Sequence, residues 1–183
     1  LGSFLFVRIL KDGADSRFDR IKPVASRFFL TWSLQGLWVL LTAGCALAVI
    51  IGGAEKPLGL VALFGLVLWL AGFSIEVVAD WQKRRFRARC GSDEFITTGL
   101  WGRSRHPNYF GEILIWTGVA VLALPALQGW QLATLISPVF VFVLLTRVSG
   151  IALLEKKADS KWGGQAGYER YKAETPVLFP RLR

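Results

Sequence analysis

The polar residues with the most chemical potential in this sequence lie beside long apolar segments. The decapeptide Arg103–Glu112, RSRHPNYFGE, holds two arginines, a histidine, an asparagine, a tyrosine and a glutamate. Pro107 suits the first turn of a helix, so free backbone N–H groups are expected beside Arg103, Arg105 and His106. Because helix N-termini attract anions, this segment predicts a site for a phosphate or a carboxylate.

The helix that starts at Pro107 would carry a polar face into the apolar region. Asn108 and Glu112 are four residues apart and share that face. A buried carboxylate needs a partner, and Glu112 could accept hydrogen bonds from an amide, a ribose or an amine. The alternatives are a capping role for Asn108, an interfacial charge for Glu112 and a plain loop position for His106. The density of polar groups favours a binding site.

A second polar face precedes the decapeptide. Glu76, Asp80, Lys83 and Arg87 follow the spacing of one helix face. Acids near a membrane boundary usually face the bundle interior or a watery cavity. A ladder of salt bridges on a solvated face fits the same spacing equally well.

Two further groups follow in the last third of the chain. Arg147 and Glu155 are eight residues apart and would share a face of one helix, although Arg147 could simply snorkel. Tyr168 and Tyr171 are three residues apart. They could clamp a flat ring, or seat an amphipathic helix at the membrane interface.

Long charge-free stretches must position these groups. Of 183 residues, 53% are hydrophobic and 19% are charged. No acidic or basic residue occurs in 28–54, 57–75 or 113–146. The third stretch would be about 51 Å long as one helix, too long for one span, and Pro125, Gln128 and Gly129 divide it. An apolar soluble bundle is disfavoured because its helices rarely run charge-free this far.

The fold class predicted is an all-α, polytopic integral membrane bundle with at least four transmembrane helices. Leu1–Leu10 reads as the end of an earlier helix, and the C-terminal segment reads as amphipathic. Residues 1–183 are expected to form a single membrane domain. Because the chain begins at Leu1 and contains no Met, we expect N-terminal helices of the full protein to be missing.

The basic residues indicate an orientation. Of 22 lysines and arginines, 6 precede the first span, 7 lie between spans two and three, and 8 follow from Arg147 onward. This distribution matches the positive-inside rule and explains the net charge of +9 without a nucleic-acid partner. It places the polar groups at the cytoplasmic face. With His106 as the single histidine, and Cys45 and Cys90 apart in sequence, no metal site is expected.

The inner ends of three helices would therefore converge on one amphiphilic pocket. A soluble, phosphate-bearing cofactor could enter it from the cytoplasm, and a lipid-like substrate from the bilayer. The segments RHPNYFGE, ADWQKRRFR and WSLQGLW resemble the bacterial DUF1295 family, which is related to steroid 5-alpha-reductases and sterol reductases. More distant relatives are isoprenylcysteine carboxyl methyltransferases. The resemblance covers nearly the whole chain.

The resemblance implies NADPH as cofactor and assigns residues to it. Those assigned by the reductase pattern are Asp80, Arg87, Asn108, Glu112 and Arg147. Neighbouring candidates from the same segments are Glu76, Arg105, His106, Tyr109, Tyr168 and Tyr171. Glu76 stands where the reductases have Asn. The Gln-Glu pair and Tyr of the reductases should precede Leu1, since Gln35-Gly36 lies in a later helix and lacks the acid.

The activity implied is reduction of a C=C bond in a steroid-like or isoprenoid enone at the inner membrane of a bacterium. Hydride would pass to the β-carbon, while an unidentified acid stabilises the enolate. One alternative is a methyltransferase that uses S-adenosylmethionine, because Arg-His-Pro followed by Tyr is shared with that family. Another is a non-catalytic membrane or lipid-binding protein. Expected partners are membrane lipids and a lipid-like substrate.

Overall fold

The computed structural model describes residue 10 and residues 22–53, 57–91 and 93–181. Within these ranges the chain forms helices and turns without any β-strand. By its internal packing the chain divides into two compact units, Leu1–Leu40 and Leu41–Arg183. The single-domain expectation stays a prediction. The helix end predicted for Leu1–Leu10 falls outside the described residues, except for Leu10 itself.

The helices follow one another with short connections. Their bounds are α1 Ala25–Gly52, α2 Leu60–Cys90, a 3-10 turn Gly99–Gly102, α3 Pro107–Ala123, a 3-10 helix Gly129–Ile136, α4 Ser137–Val143, a π turn Leu144–Val148, α5 Ile151–Trp162 and α6 Ala166–Glu174. Pro107 occupies the first turn of α3, as predicted. The break predicted at Pro125–Gly129 is present, and Gly129 adopts a φ of 52° there.

Three helical runs are long and apolar enough to cross a membrane: Ala25–Gly52, Leu60–Cys90 and Gly129–Trp162. They confirm the all-α membrane fold. Their large apolar side chains point outward, as Phe29 (75% exposed) and Leu60 (85% exposed) illustrate. Such surfaces suit lipid and not water. The fourth predicted span forms α3, whose 17 residues cover about 25 Å. Its crossing of the membrane stays a prediction.

Glycines bring α2 and α3 into direct backbone contact. A Cβ added at Gly72 would lie 2.6 Å from the carbonyl oxygen of Gly111, and one at Gly118 would lie 2.7 Å from that of Gly65. Small residues at a helix interface allow this close approach, which is typical of membrane bundles. A Cβ at Gly111 would lie 3.1 Å from the Cβ of Glu76. The packing therefore places the polar ends of α2 and α3 side by side.

The last apolar run, Gly129–Trp162, is not one regular α-helix, although a shared helix face for Arg147 and Glu155 requires an uninterrupted helix between them. The π turn Leu144–Val148 and a bend at Ser149–Gly150 interrupt it. A Cβ at Gly150 would overlap the Leu145 carbonyl oxygen, so only glycine fits this bend. The eight-residue spacing of Arg147 and Glu155 thus no longer implies a shared helix face, and that part of the prediction is wrong.

Candidate functional site

A cavity of about 310 Å³ lies at the basic end of α2, bordered by the loop before α3 and by α5 and α6. We call it the aromatic cavity because rings form much of its wall. Its lining residues are Lys83, Phe86, Arg87, Glu94, Phe95, Ile96, Trp101, Arg105, His106, Leu154, Glu155, Lys157, Ala158, Lys161, Trp162, Tyr168 and Tyr171. Five of these are lysine or arginine and two are glutamate, so the lining is positively charged.

One carboxylate organises the centre of the aromatic cavity. Glu155 Oε1 lies 2.7 Å from His106 Nε2, and Glu155 Oε2 lies 2.9 Å from Arg105 Nη2. Arg105 Nη1 also donates to the Lys172 carbonyl oxygen at 3.1 Å. The Arg105 side chain is only 11% exposed, and its Nε has no hydrogen-bond partner among the described residues. A buried N–H that lacks a partner can receive an acceptor from a ligand.

The chain's C-terminal segment holds this centre in place. We call residues 175–181 the strap. The Arg105 backbone N–H donates to the Pro176 carbonyl oxygen at 2.9 Å. The buried Ser104 hydroxyl donates to the Leu178 carbonyl oxygen at 2.8 Å and accepts from the His106 backbone N–H at 3.2 Å. These bonds fix the backbone from which Arg105 and His106 reach the cavity.

Tyr168 and Tyr171 form part of the aromatic wall with Phe95. Their ring centroids lie 5.3 Å and 5.9 Å from that of Phe95. The Tyr171 hydroxyl donates to the Trp101 carbonyl oxygen at 2.7 Å, and the Tyr168 hydroxyl donates to Asp159 Oδ1 at 2.9 Å. Burial raises the pKa of both phenols, and the bond to Asp159 raises that of Tyr168 further. Both therefore remain neutral hydrogen-bond donors at physiological pH.

The loop before α3 is anchored to α2 through Trp101. The Trp101 indole N–H donates to the Ala79 carbonyl oxygen at 3.0 Å, and the Lys83 ammonium lies 4.6 Å from the centre of the same ring. The Leu100 backbone N–H donates to Gln82 Oε1 at 3.0 Å. The contacts bring the loop against the basic end of α2 and so close one side of the aromatic cavity.

Five of the predicted site residues line the aromatic cavity together. They are Arg87, Arg105, His106, Tyr168 and Tyr171. A second group, Glu76, Asp80, Tyr109 and Glu112, lies close enough for mutual electrostatic interaction across α2 and α3. The rings of His106 and Tyr109 stack with centroids 5.7 Å apart. This stack links the two groups.

The remaining predicted residues lie elsewhere. Arg147 is exposed in the π turn, and Asn108 is half-buried in the first turn of α3; neither lines the aromatic cavity.

The sequence reading did not pair Glu155 with Arg105 and His106, because Glu155 and His106 are 49 residues apart. It also missed Phe95, Trp101 and Trp162. The clustering of tryptophan and phenylalanine beside the basic segments was the available signal.

A model of one protein family matches residues 1–175; its description is "Protein of unknown function (DUF1295)". The chain belongs to this family. The resemblance stated from the sequence motifs is thereby confirmed. No solved structure matches the chain.

Three curated relatives show what this DUF1295 chain is similar to. An uncharacterized protein of Schizosaccharomyces pombe is 26% identical over 92% of the chain and 55% of its own length. The 3-oxo-5-alpha-steroid 4-dehydrogenase 1 of Bos taurus is 33% identical over 66% of the chain and 42% of its own length. The Delta(14)-sterol reductase ERG24A of Gibberella zeae is 37% identical over 42% of the chain and 18% of its own length. The chain thus spans about half, or less, of the length of these relatives.

Proposed function

We propose that this DUF1295 chain is the cofactor-binding part, or the whole, of a membrane reductase that uses NADPH. Its substrate would be a steroid-like or isoprenoid enone whose C=C bond is reduced. Two relatives carry the names of a steroid dehydrogenase and a sterol reductase, which supports this reaction class. The aromatic cavity supports a nucleotide cofactor because it combines flat rings with an excess of positive charge.

One observation carries the proposal. Arg105 is nearly buried, lines the aromatic cavity and has an Nε without a described partner. Guanidinium groups bind phosphate oxygens through charge-assisted hydrogen bonds, and a phosphate at this place would satisfy that atom. Arg87 lines the same cavity and is exposed to an incoming ligand. Both residues are therefore proposed to bind the cofactor phosphates.

The other cofactor contacts follow from the residues present. Bound NADPH would supply the hydride. Tyr168 and Tyr171 would hold a flat ring of the cofactor against the aromatic wall. The aromatic cavity is at the small end of the usual range of about 300–1,000 Å³, so it would hold one half of a dinucleotide. The other half would extend towards Asp80 and Glu112, whose carboxylates can accept hydrogen bonds from a ribose or an amide.

Several wider features of the proposal rest on the sequence. Glu76, Asn108, Tyr109 and Arg147 remain proposed cofactor contacts, and the proton donor would precede Leu1. The distribution of lysine and arginine supports a cytoplasmic position for the cofactor. The proposed location is the inner membrane of a bacterium. A lipid-like substrate would reach the cofactor from the bilayer, along the apolar faces of the spans.

A methyltransferase using S-adenosylmethionine is the second candidate. The small volume of the aromatic cavity favours it, since that cofactor is smaller than NADPH. The charge of the lining disfavours it. Five basic side chains against two carboxylates would repel the cationic sulfonium and leave the arginines without a phosphate to bind. On this balance NADPH is the better fit.

The test is ligand-induced stabilisation of the purified protein, with NADPH, NADH and S-adenosylmethionine added separately. A ligand at a hundredfold excess over its Kd should stabilise the native state by about 2.7 kcal/mol. Arg87→Gln should weaken NADPH binding about tenfold, a loss of about 1.4 kcal/mol. Arg89→Gln is the matched control, because Arg89 is exposed on the same helix and does not line the aromatic cavity.

Each outcome separates the candidates. Stabilisation by NADPH that is weaker in Arg87→Gln and in Glu112→Ala, with Arg89→Gln unchanged, supports the reductase. Stabilisation by S-adenosylmethionine alone would replace it with the methyltransferase. If none of the three compounds stabilises the protein, including a version with all N-terminal helices, the lipid-binding alternative is favoured.

A further inference from the structure

A second cavity, of about 480 Å³, opens on the other side of Tyr171. We call it the arginine cavity because Arg103, Arg170 and Arg181 line it from three separate segments. These segments are the loop before α3, helix α6 and the strap. Glu174 is the single carboxylate among the lining residues, so the wall carries a net positive charge.

The three guanidinium groups lack partners among the described residues. Within residues 22–53, 57–91 and 93–181, no ion pair or side-chain hydrogen bond engages Arg103, Arg170 or Arg181. This contrasts with Arg105, whose guanidinium is paired with Glu155. Five donors on each free guanidinium are thus available to a ligand.

The fold itself brings the backbones of two of these arginines together. The Arg181 backbone N–H donates to the Arg103 carbonyl oxygen at 3.0 Å, which fixes both residues at one edge of the cavity. Like charges that line one cavity repel each other, and a bound anion would reduce that repulsion. A planar guanidinium group can donate two parallel hydrogen bonds to two oxygens of one phosphate. A phosphate therefore fits the lining of this cavity better than a smaller anion does.

Tyr171 separates the arginine cavity from the aromatic cavity. It lines both cavities, and its hydroxyl bond to the Trp101 carbonyl oxygen holds it in place. Arg87, Arg105 and His106 all lie on the aromatic side. A ligand in the arginine cavity would therefore occupy a different site from a cofactor in the aromatic cavity.

We propose that the arginine cavity binds a phosphate-bearing ligand distinct from the cofactor. Its source is either a soluble phosphate compound or the headgroup of an acidic phospholipid, since basic segments beside membrane helices attract such lipids. This site does not depend on the reductase proposal, because none of its three arginines faces the aromatic cavity.

The experiment is calorimetric titration of the purified full chain in neutral detergent. The soluble probe is inorganic pyrophosphate, and the lipid probe is dihexanoyl phosphatidylglycerol, with dihexanoyl phosphatidylcholine as the zwitterionic comparison of zero net charge. The test variant is Arg103→Gln/Arg170→Gln. The matched control is Arg89→Gln/Lys156→Gln, which removes the same charge from exposed positions outside both cavities.

The proposal expects pyrophosphate or phosphatidylglycerol to bind at least tenfold more weakly to the test variant than to the control. The probe that binds identifies the source. Equal weakening in both variants, or no binding to the wild type, overturns the proposal and leaves the arginines as solvated surface charges. The proposal also expects unchanged NADPH affinity in the test variant. A tenfold loss of NADPH affinity there would overturn it by assigning these arginines to the cofactor.

Discussion

Glu155 binds two side chains at once, those of Arg105 and His106, and its own side chain is 22% exposed. Glu155→Gln would remove the charge that fixes Arg105 and would weaken the bond to His106. Loss of a charge-assisted hydrogen bond from a largely buried group costs about 1–3 kcal/mol. We expect the variant to unfold several degrees below the wild type in a thermal melt, and to bind NADPH more weakly because Arg105 is no longer oriented.

Glu174→Gln provides the comparison for this prediction. Glu174 is exposed at the end of α6, and its carboxylate makes no hydrogen bond or ion pair with the described part of the chain. The free energy of unfolding of Glu174→Gln should differ from that of the wild type by less than about 0.5 kcal/mol. Equal melting temperatures for Glu155→Gln and Glu174→Gln would show that Glu155 does not hold the site together.

Residue type and density made Arg105, His106, Tyr168 and Tyr171 candidates for a site, and the fold brings all four to the aromatic cavity. Sequence could not separate Arg103 from Arg105, since the strap binds each through a different backbone contact and they line different cavities. It also could not pair Glu155 with His106, because that contact exists only after the chain has folded.

At the scale of elements, the contact between α2 and α3 depends on four glycines. Gly72→Ala would place a methyl group 2.6 Å from the Gly111 carbonyl oxygen and 2.7 Å from the Ile115 backbone nitrogen. Backbone atoms cannot move aside as side chains can, so the helices would have to separate. We expect the free energy of unfolding to fall by about 1–3 kcal/mol, measured by thermal unfolding in detergent.

Gly36→Ala is a control within α1. A Cβ there would meet nothing within 4 Å, and alanine is the better helix former by about 0.5–1 kcal/mol. This variant should melt at or above the wild-type temperature. A Gly72→Ala protein as stable as Gly36→Ala would contradict the close backbone contact of α2 with α3.

Proline and glycine made the ends of the helices predictable. The irregular turns inside the last apolar run were not predictable. Pro107 begins α3, and Gly91, with a φ of 76°, follows the end of α2. The π turn before Gly150 depends on how the run packs, and no residue type announces it. The pairs Gly65–Gly72 and Gly111–Gly118 each span two helical turns, a spacing that puts both members on one face. That signal for the α2–α3 interface was present and was overlooked.

At the scale of the whole molecule, charged residues and apolar surface occupy different segments of the chain. The apolar side chains of α1 and α2 are broadly exposed, while the basic residues gather at the ends of the spans. Composition alone was sufficient to predict this arrangement, because a bilayer admits few alternatives. The cavities were beyond prediction, since they form where the loop before α3, α5, α6 and the strap meet.

The two cysteines make the orientation of the molecule testable. Cys90 is exposed at the basic end of α2, whereas Cys45 is buried, so a membrane-impermeant maleimide should react with Cys90 alone. The positive-inside rule puts that end in the cytoplasm. We therefore expect labelling in inverted membrane vesicles and none in spheroplasts, with Cys90→Ser abolishing the signal. A cysteine introduced as Lys56→Cys in the Cys90→Ser background should label in spheroplasts, because Lys56 lies between the charge-free stretches 28–54 and 57–75 and therefore in a predicted loop on the opposite side of the membrane. Labelling of Cys90 in spheroplasts would reverse the orientation and put both cavities on the outer face, away from the cytoplasmic supply of NADPH.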